Sequence, residues 1–559
     1  MFRTIFFILL IISCHSLKAQ DRPDAGSIQK QIEDQRSKSP LPLKEESKKM
    51  SIEALESDTT ISVVVHPFIY SGNTLIQSEE LDLITKPYLE RSLNFEQLDF
   101  ISTEIASLYR KKGWVVHIFL PEQNIDKGIV TIEIIEASLG KVETEGSPQH
   151  ISESRITPFI THKNLVGEKI NSKTLDRGLL LADDLPGVKV YGLLKPGDIS
   201  KTADLKLKLT DDPRIDGNIY LDNMGIRSTG AVRIGTNLNL NDPIKIGDQL
   251  SFSAQHTHGS DYYRLSYAIP IGYDGLRIGV NGAHLDYNLI TANLASLDAF
   301  GSFGSFGFEL QYPIIRSKLS NLYFVGNIDH KDYKNQAQGQ LTSLYQINNK
   351  TLSLYGNIFD ALFGGGSNSA SISLIKGRLN LDGSPTQTLD SYSTKTAGEF
   401  SVIRYAMSRE QTLYGPFSAY AGLSGQIAYD NLDSSEKFYL GGPNGIRAYP
   451  MNEQGGASGS LLKLELRGAF PKNIGGSLFY DLGHVSINHN NNYTGASNIN
   501  NLTMKGVGLS VNWQSSNGFK VSSTWSKRIG DNPNPTSTGQ DQDGSYQETR
   551  WWINTSYNF

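Results

Sequence analysis

The amino-acid sequence predicts a β-barrel outer-membrane protein of about 16 antiparallel strands, preceded by two small periplasmic α+β domains of β-α-α-β-β order and by an N-terminal helix. Three observations lead to this fold class. The chain begins with a secretory signal pattern, helical periodicity occurs twice before residue 213, and period-two alternation continues from there to residue 559. The predicted divisions are residues 1–19, 20–60, 61–138, 139–212 and 213–559.

The composition fits a strand-rich exported protein. The 559 residues include 53 Gly and 26 Tyr, which indicates many turns and strands, and the formal net charge is -5. Because there is no basic surplus, nucleic acid is not an expected partner. No apolar run reaches the roughly 18 residues that a transmembrane helix needs, so any membrane crossing is expected to use strands.

The first 19 residues have the pattern of a signal peptide. Arg3 supplies the positive charge, residues 6–12 form the apolar segment, and Ala19 ends a small-residue cleavage site. The only cysteine, Cys14, lies inside this segment, so cleavage after Ala19 leaves a mature chain without a thiol. The alternative is a lipoprotein cleavage box at residues 11–14, in which Cys14 carries lipid. Both alternatives predict export.

Residues 20–60 are polar and interrupted by proline, which is typical of a linker. Within them, residues 25–36 lack proline and predict a short helix. Its surface has too little apolar area to form a core alone, so this helix needs a host surface or stays mobile.

The first module, residues 61–138, combines short β-branched runs with two helical patterns. Its predicted elements are a strand at residues 63–65, a helix that begins at Ser78, a helix at residues 95–112 that stops at Gly113, and strands at residues 115–120 and 129–135. The same order recurs more faintly in the second module, with a helix at residues 175–181, a strand at 188–193 and alternation at Leu205, Leu207 and Leu209.

From residue 213 onward, apolar residues occupy alternate positions. One stretch illustrates this pattern: Val507, Gly508, Leu509, Ser510, Val511, Asn512 and Trp513. A soluble β-sandwich gives the same alternation with the apolar face inward, whereas a membrane barrel turns that face to lipid. Three features favour the barrel. The alternation continues for about 350 residues with short turns, a long polar loop lies at residues 488–501, and the terminal strand ends in the aromatic Phe559.

Two motifs place polar residues where a barrel interior is expected. A glycine-flanked loop motif contains Gly445, Ile446, Arg447, Ala448 and Tyr449. A strand motif contains Phe479, Asp481 and Gly483 on one face, so Asp481 points into the lumen if the more apolar face meets lipid. A lumenal carboxylate favours a cation, and Arg447 offers a bidentate guanidinium. The alternative is that Asp481 and Arg447 serve separate local hydrogen bonds. Glu465 and Arg467 share one strand face and could extend the network.

These motifs, in this order, resemble those of two-partner secretion outer-membrane translocators of the haemolysin activator type. In the modules the resemblance rests on Gly72-Asn73-Thr74, on residues 120–123 followed by Gly128, and on Leu185-Pro186-Gly187; in the barrel it also rests on Asp222-Asn223-Met224-Gly225. The first module thus resembles a polypeptide-transport-associated domain, and the second, residues 139–212, resembles the family's second such domain. One departure is Ala448, where the family has glycine; alanine does not easily adopt a positive φ, which puts the loop-tip conformation in question.

The resemblance implies a pore that captures an unfolded exported partner through its periplasmic domains and moves it to the cell surface without nucleotide hydrolysis. It implies an Arg447–Asp481 pair in the lumen and an N-terminal helix that plugs the barrel at rest. The expected partners are an exoprotein of adhesin or cytolysin type, outer-membrane lipid and the barrel-assembly machinery, the last through the strand that ends at Phe559. A monomer is expected.

Three other functions fit the sequence less well. An outer-membrane protein insertase shares the arginine and aspartate motifs but usually carries more periplasmic modules, and a passive porin needs no modules. An enzyme is not expected, because nucleophile and phosphate-loop motifs are missing from the sequence. No cofactor is expected, and His256 with His258 supplies only two candidate metal ligands, so no metal site is predicted.

Overall fold

The computed structural model describes residues 23–35, 62–146 and 148–559. The predicted signal peptide, with its Cys14 alternative, and most of the predicted linker lie outside these residues. Helix α1 (Ala25–Gln35) begins at the predicted residue and continues to the last described residue of this segment, and the predicted last residue, 36, lies outside the described residues. None of the helices among the described residues is both long and apolar enough to span a membrane.

The first module contains the two predicted helices and more strands than predicted. Its elements are β1 (Ser62–Val64), β2 (Phe68–Ser71), α2 (Ser78–Thr85), β3 (Ser92–Asn94), α3 (Phe95–Lys112), β4 (Val116–Phe119) and β5 (Val130–Glu136). Strands β2 and β3 were not predicted, because neither carries a run of β-branched residues like the one that marks β1. Helix α3 begins with a capping box formed by Asn94 and Gln97 and ends at Gly113, whose φ of 93° is left-handed.

The second module has the predicted β-α-α-β-β order. Its elements are β6 (Ser138–Glu145), α4 (Glu153–Thr161), α5 (Ser172–Asp183), β7 (Val188–Pro196) and β8 (Thr202–Asp211). Backbone hydrogen bonds join it to the first module: Val115 donates to Ile170 at 3.1 Å, and Ser172 donates to Gly113 at 2.6 Å. The two modules are therefore hydrogen-bonded to each other rather than strung on a free linker.

The rest of the chain closes into the predicted 16-stranded antiparallel barrel. Its strands are β9 (Ile215–Asp222), β10 (Arg233–Asn241), β11 (Gln249–Thr257), β12 (Ser260–Ile271), β13 (Leu276–Asn288), β14 (Ala299–Arg316), β15 (Ser320–Ala337), β16 (Gln340–Asp360), β17 (Gly366–Asn380), β18 (Gly398–Thr412), β19 (Phe417–Ala428), β22 (Ser458–Phe470), β23 (Ile474–Ser486), β24 (Asn501–Gln514), β25 (Phe519–Arg528) and β26 (Thr549–Asn558). Two loops carry short helices, α6 (Ala292–Ala295) and α7 (Gln387–Tyr392). Strands β20 (Phe438–Leu440) and β21 (Gln454–Gly456) form a separate hairpin inside the loop that joins β19 to β22.

The alternation along the strands separates an outer from an inner face. On β23, Leu478 is 60% exposed, whereas Phe479 and Asp481 are buried. On β26, Trp551, Ile553 and Tyr557 are exposed, while Trp552 is buried in the lumen. The apolar face therefore points outward, as a lipid-facing barrel requires.

The second module is attached to turns at the periplasmic mouth of the barrel. Asp274, in the turn between β12 and β13, accepts a hydrogen bond from Tyr312 and forms ion pairs with Lys163 and Arg177 at 2.8 and 3.3 Å. Arg316 forms a bidentate ion pair with Asp184, with both distances 2.7 Å. These contacts hold the module across the opening of the lumen.

Candidate functional site

The loop between β19 and β22 folds back into the barrel. Its residues Ile446, Ala448 and Tyr449 are at most 1% exposed. Gly441 and Gly442 have φ values of 99° and 80°, which allow the tight turn at the base of the motif. Gly445 comes close to Gly441, since a Cβ on Gly445 would lie 2.3 Å from the Gly441 carbonyl oxygen. Glycine is needed at these positions to fold the loop this tightly.

Arg447 is held by the wall of the barrel. Its Nε and Nη2 donate to the Asp481 carboxylate at 2.9 and 2.7 Å, and its backbone N–H donates to the same carboxylate at 3.1 Å. Nη1 forms an ion pair with Glu465 at 2.9 Å. The guanidinium carbon lies 3.3 Å from the centre of the Phe479 ring, which adds a cation–π contact. The structure thus brings Arg447, Asp481, Glu465 and Phe479 together.

The backbone carbonyl of Arg447 is held from the opposite direction. Ser526 Oγ donates to it at 2.6 Å, and the indole Nε1 of Trp552 donates to it at 2.7 Å. Strands β22, β23, β25 and β26 therefore all contact this one residue. We call Arg447 with Asp481 and Glu465 the loop lock.

The ion pairs continue beyond the loop lock. Glu465 also accepts from Arg467 Nε at 2.8 Å, and Arg467 Nη1 donates to Glu410 at 2.9 Å. The Arg467 guanidinium carbon lies 4.0 Å from the centre of the Tyr420 ring. Glu410 was missed at the sequence level, because it lies 57 residues from Arg467 and no local motif marks it.

Small residues on the wall make room for the loop. A Cβ on Gly483 would lie 2.6 Å from Ile446 Cδ1 and 2.8 Å from a Leu440 methyl group. A Cβ on Gly506 would lie 2.7 Å from the Ala448 Cβ. Ala448 is not among the residues with positive φ, so the alanine at this position does not strain the loop.

Helix α1 lies in the lumen, packed on the inner face of the barrel. Ala25, Ile28 and Ile32 belong to the same buried apolar cluster as wall residues such as Tyr287 and Tyr333. A Cβ on Gly26 would lie 2.6 Å from the Tyr345 hydroxyl and 2.7 Å from Ser434 Oγ. The barrel wall therefore supplies the host surface that the isolated helix lacks.

Polar contacts hold both ends of α1. At its start, Ser434 donates to the Asp24 carboxylate and the Ala25 N–H donates to Asn335 at 2.9 Å. Near its end, Glu33 accepts from Tyr262 and forms an ion pair with Arg264 at 3.4 Å, and Gln35 accepts from Arg233. Ser434 lies in the same loop as Arg447, so α1 and the loop lock are parts of one packed interior.

Glu436 anchors that loop to the wall. Its buried carboxylate pairs with Lys331 at 2.8 Å and Arg404 at 2.9 Å, and it accepts from Asn349 at 2.7 Å. Burial acts to raise the pKa of Glu436, but the two cations outweigh it and hold the pKa at about 2. Glu436 therefore stays ionised at neutral pH.

A second buried ion pair lies beside the seam between the first and last strands. Arg233 donates through Nε and Nη2 to Asp222 at 2.7 and 2.9 Å. The neighbouring Asn223 side chain donates to the Trp551 carbonyl and accepts from the Ile553 N–H, both at 2.8 Å. Strands β9 and β26 pair over five residues, and the Asn223 side chain extends this hydrogen bonding beyond the end of β9.

In the first module, the residues of the family motifs surround a buried carboxylate that the sequence analysis did not single out. Glu136 accepts from the backbone N–H groups of Thr74 and Leu75 at 2.7 and 2.8 Å and from the Tyr109 hydroxyl at 3.1 Å. Burial acts to raise the pKa of Glu136, but these hydrogen bonds outweigh it and lower the pKa below the ordinary glutamate value.

Gln123 replaces a missing strand partner in the same module. Its side-chain amide donates to the Thr131 carbonyl at 2.8 Å and accepts from the Thr131 N–H at 2.7 Å. The Gln123 side chain therefore pairs with the backbone of Thr131 as a neighbouring strand would.

The histidines do not form a metal centre among the described residues. His256 pairs with Asp261 at 2.7 Å, and no group of three histidine, cysteine or acidic residues in these parts of the chain has metal-binding geometry.

The closed 16-stranded barrel, the periplasmic modules and the inward-folded loop define a polypeptide-transport barrel of the outer membrane. The sequence profile described as "Haemolysin secretion/activation protein ShlB/FhaC/HecB" matches residues 201–511, more than half of the chain, and the profile "POTRA domain, ShlB-type" matches residues 63–137. The chain belongs to this haemolysin secretion/activation family.

Individual relatives agree with this assignment. The heme/hemopexin transporter protein HuxB of Haemophilus influenzae is 24% identical over 532 residues, which cover 93% of this chain and 94% of HuxB. The solved structure of CdiB from Escherichia coli has a TM-score of 0.71 at 18% identity and covers 97% of this chain and 100% of CdiB. BamA from Haemophilus ducreyi, without POTRA domains 1–3, is less similar, with a TM-score of 0.51 at 14% identity, covering 89% of this chain and 100% of that structure.

The protein is therefore an outer-membrane pore of two-partner secretion, with its N-terminal domains in the periplasm, and it moves an exported partner protein to the cell surface. The matches do not support the alternative of a barrel-assembly insertase.

Proposed function

We propose that α1 closes this secretion pore until an unfolded exported partner enters from the periplasm, and that the loop lock holds its loop in the lumenal position that both closure and transport require. The proposal rests on one observation: the loop between β19 and β22 carries Arg447 and also contacts both ends of α1. Ser434 of this loop hydrogen-bonds Asp24 before the first turn of α1, and Met451 of the same loop contacts Gln35 at its last turn. Displacement of α1 therefore removes contacts from the loop that carries Arg447.

The periplasmic modules supply a surface for an extended polypeptide. In the second module the strand order β6-β8-β7 leaves one edge of β7 without a neighbouring strand among the described residues. Tyr191 and Leu193 of β7 are 53% and 58% exposed. An unfolded chain can add along such an edge through backbone hydrogen bonds, which demand little of its sequence.

The partner proposed for this pore is an exoprotein of adhesin or cytolysin type. One relative, HuxB, is named a heme/hemopexin transporter, so at least one relative is named for a specific cargo. We propose further that the chain acts as a monomer without enzymatic activity. Its domains are residues 61–138, 139–212 and 213–559. The barrel-assembly machinery recognises the terminal strand that ends at Phe559.

Coexpression with candidate exported proteins tests the secretion function directly. Surface release of the correct partner should depend on this chain and should fall for the Arg447→Ala variant at equal barrel abundance. Lys472→Gln, a substitution in an exposed periplasmic turn, serves as the control and should leave release unchanged. Release that is equal with and without the chain, for every candidate, would contradict the proposal for those partners.

A further inference from the structure

Three cations lie side by side on the outer surface of the barrel, away from the lumen and the modules. They are Lys350 on β16 and Lys376 and Arg378 on β17, and all three are exposed. The strand register places Lys350 directly opposite Lys376, and Arg378 lies two residues further along β17 on the same face. We call these three residues the outer cation patch.

The patch lies at the upper edge of the lipid-facing apolar band. The outward-facing neighbours on its periplasmic side, Leu352, Leu354, Ile372 and Leu374, are apolar and exposed, and the exposed Ile328 lies directly opposite Lys350 on β15. Lys350 precedes the periplasmic end of β16, Asp360, by ten residues. A strand tilted by about 40° rises about 25 Å over that distance, which equals the height of the apolar band of an outer-membrane barrel. The three cations are thus at the level of the outer-leaflet head groups.

The positive charge of the patch is only partly compensated by the protein. Lys376 pairs with Glu399 at 3.1 Å. Lys350 and Arg378 form no ion pair within the described parts of the chain, although the register places Glu399 directly opposite Arg378. Like charges directly opposite each other on neighbouring strands are destabilising, so the Lys350–Lys376 pairing favours a bound anion between them.

We propose that the outer cation patch binds the phosphate-bearing head group of an outer-leaflet lipid, with the acyl chains on the apolar band below. Arginine and lysine are the side chains that bind phosphate, and Arg378 can donate two parallel hydrogen bonds to one phosphate group. A lipid fits better than free phosphate, because the apolar side chains continue directly from the cations toward the periplasmic side. This site is independent of the proposed gating function.

Native mass spectrometry of the full chain in detergent tests this site. The probes are a diphosphorylated glycolipid and phosphatidylcholine, whose head group is zwitterionic. The wild-type chain should retain the glycolipid in preference to phosphatidylcholine. Each cation near a charged lipid surface contributes about fivefold to affinity, so the triple variant Lys350→Gln, Lys376→Gln and Arg378→Gln should lose on the order of a hundredfold.

Two single substitutions sharpen the test. Glu399→Gln removes the competing carboxylate and should increase glycolipid retention by about fivefold, a change opposite in sign to the triple variant. Lys472→Gln removes one charge at the periplasmic end and should leave retention unchanged. Heat-dependent mobility on a denaturing gel verifies that each variant forms the barrel; if the triple variant does not, Arg378→Gln alone should reduce retention about fivefold.

The inference is overturned if the folded variants that lack patch cations retain the glycolipid as well as the wild type. Displacement of the glycolipid by inorganic phosphate at modest concentration would also overturn it, because the patch would then be a site for a free anion. Secretion of the partner is unaffected by either outcome, so the proposed function is tested separately.

Discussion

Arg447 joins the loop to four strands of the barrel through its side chain and its carbonyl group. Asp481 is 0% exposed and receives three hydrogen bonds from Arg447 alone. Removing one member of a buried ion pair leaves the other uncompensated, which costs about 3–5 kcal/mol. The backbone hydrogen bonds of the barrel do not involve these two side chains. The lost free energy should therefore displace the loop without disrupting the barrel.

We expect Arg447→Ala to lower the equilibrium constant for the docked loop by on the order of a hundredfold or more, and secretion to fall at normal barrel abundance. Asp481→Ala should give the same phenotype. Because the two residues act as a unit, the double variant should be no worse than either single variant. Partner release together with heat-dependent gel mobility measures both effects. Additive defects would show that the two residues act separately.

Glu136 makes the first module sensitive to acid. Its pKa is lowered in the folded chain, so its contribution to stability is present at neutral pH and is lost as the pH falls below the ordinary glutamate pKa of about 4.3. Glu136→Gln should destabilise the module by about 1–3 kcal/mol at neutral pH and flatten this acid dependence. Hydrogen exchange of α3 and β5 in the full chain measures both. An unchanged acid dependence in the variant would contradict this assignment.

At the scale of elements, the fit of α1 in the lumen depends on the missing side chain at Gly26. Gly26→Ala raises helix propensity by about 1 kcal/mol, yet its methyl group would collide with Tyr345 and Ser434. We expect the helix to leave the lumen and single-channel conductance in planar bilayers to rise. Lys472→Gln, in the exposed turn between β22 and β23, is the control. Unchanged conductance for Gly26→Ala would count against a lumenal plug.

The start of α1 also predicts a pH dependence. Burial and, secondarily, the nearby Asp433 raise the pKa of Asp24 to about 6. The docked helix therefore favours protonated Asp24, so docking weakens as the pH rises from about 4 to about 6 and changes little above that. Conductance should rise over this interval, and Asp24→Asn should remove the dependence. A conductance that is independent of pH in the wild type would refute this role of Asp24.

The contact between the second module and the barrel depends on Asp274. Asp274→Ala removes the ion pairs with Lys163 and Arg177 and the hydrogen bond from Tyr312. The backbone pairing of the barrel does not involve this side chain, so we expect faster hydrogen exchange in α4 and α5 with normal barrel formation. Equal exchange in the variant would show that the apolar contacts, such as Phe159 against Tyr273, are sufficient.

At the scale of the whole molecule, closure of the barrel rests on its shortest wall pairing. Strands β9 and β26 pair over five residues, and Asn223 extends that seam through its side chain. A closed barrel has no edge at which unfolding can begin, so the unboiled protein should migrate differently from the boiled protein on a denaturing gel. Asn223→Ala should lower the temperature at which the folded band disappears. An unchanged transition temperature would show that the backbone pairing alone controls the seam.

The sequence by itself determined the elements whose signal is local. Alternation of side chains assigned the barrel and its outward apolar face, because successive residues of a strand point to opposite sides. The helix near residues 95–112 was predicted with these bounds, because its apolar residues recur at helical spacing and Gly113, which ends it, follows directly in the chain. The alternation also placed Asp481 on the inner face, and the gating role of its pair with Arg447 stays a prediction.

Only the tertiary structure decided which distant residues meet. Glu410 completes the ion-pair chain of Arg467, Arg233 pairs with Asp222 beside the end of α1, and Lys350 faces Lys376 across two strands. Such contacts depend on strand register, and a shift of one residue would move each side chain to the opposite face. The position of α1 in the lumen depends likewise on the shape of the closed wall, which no segment of the sequence contains alone.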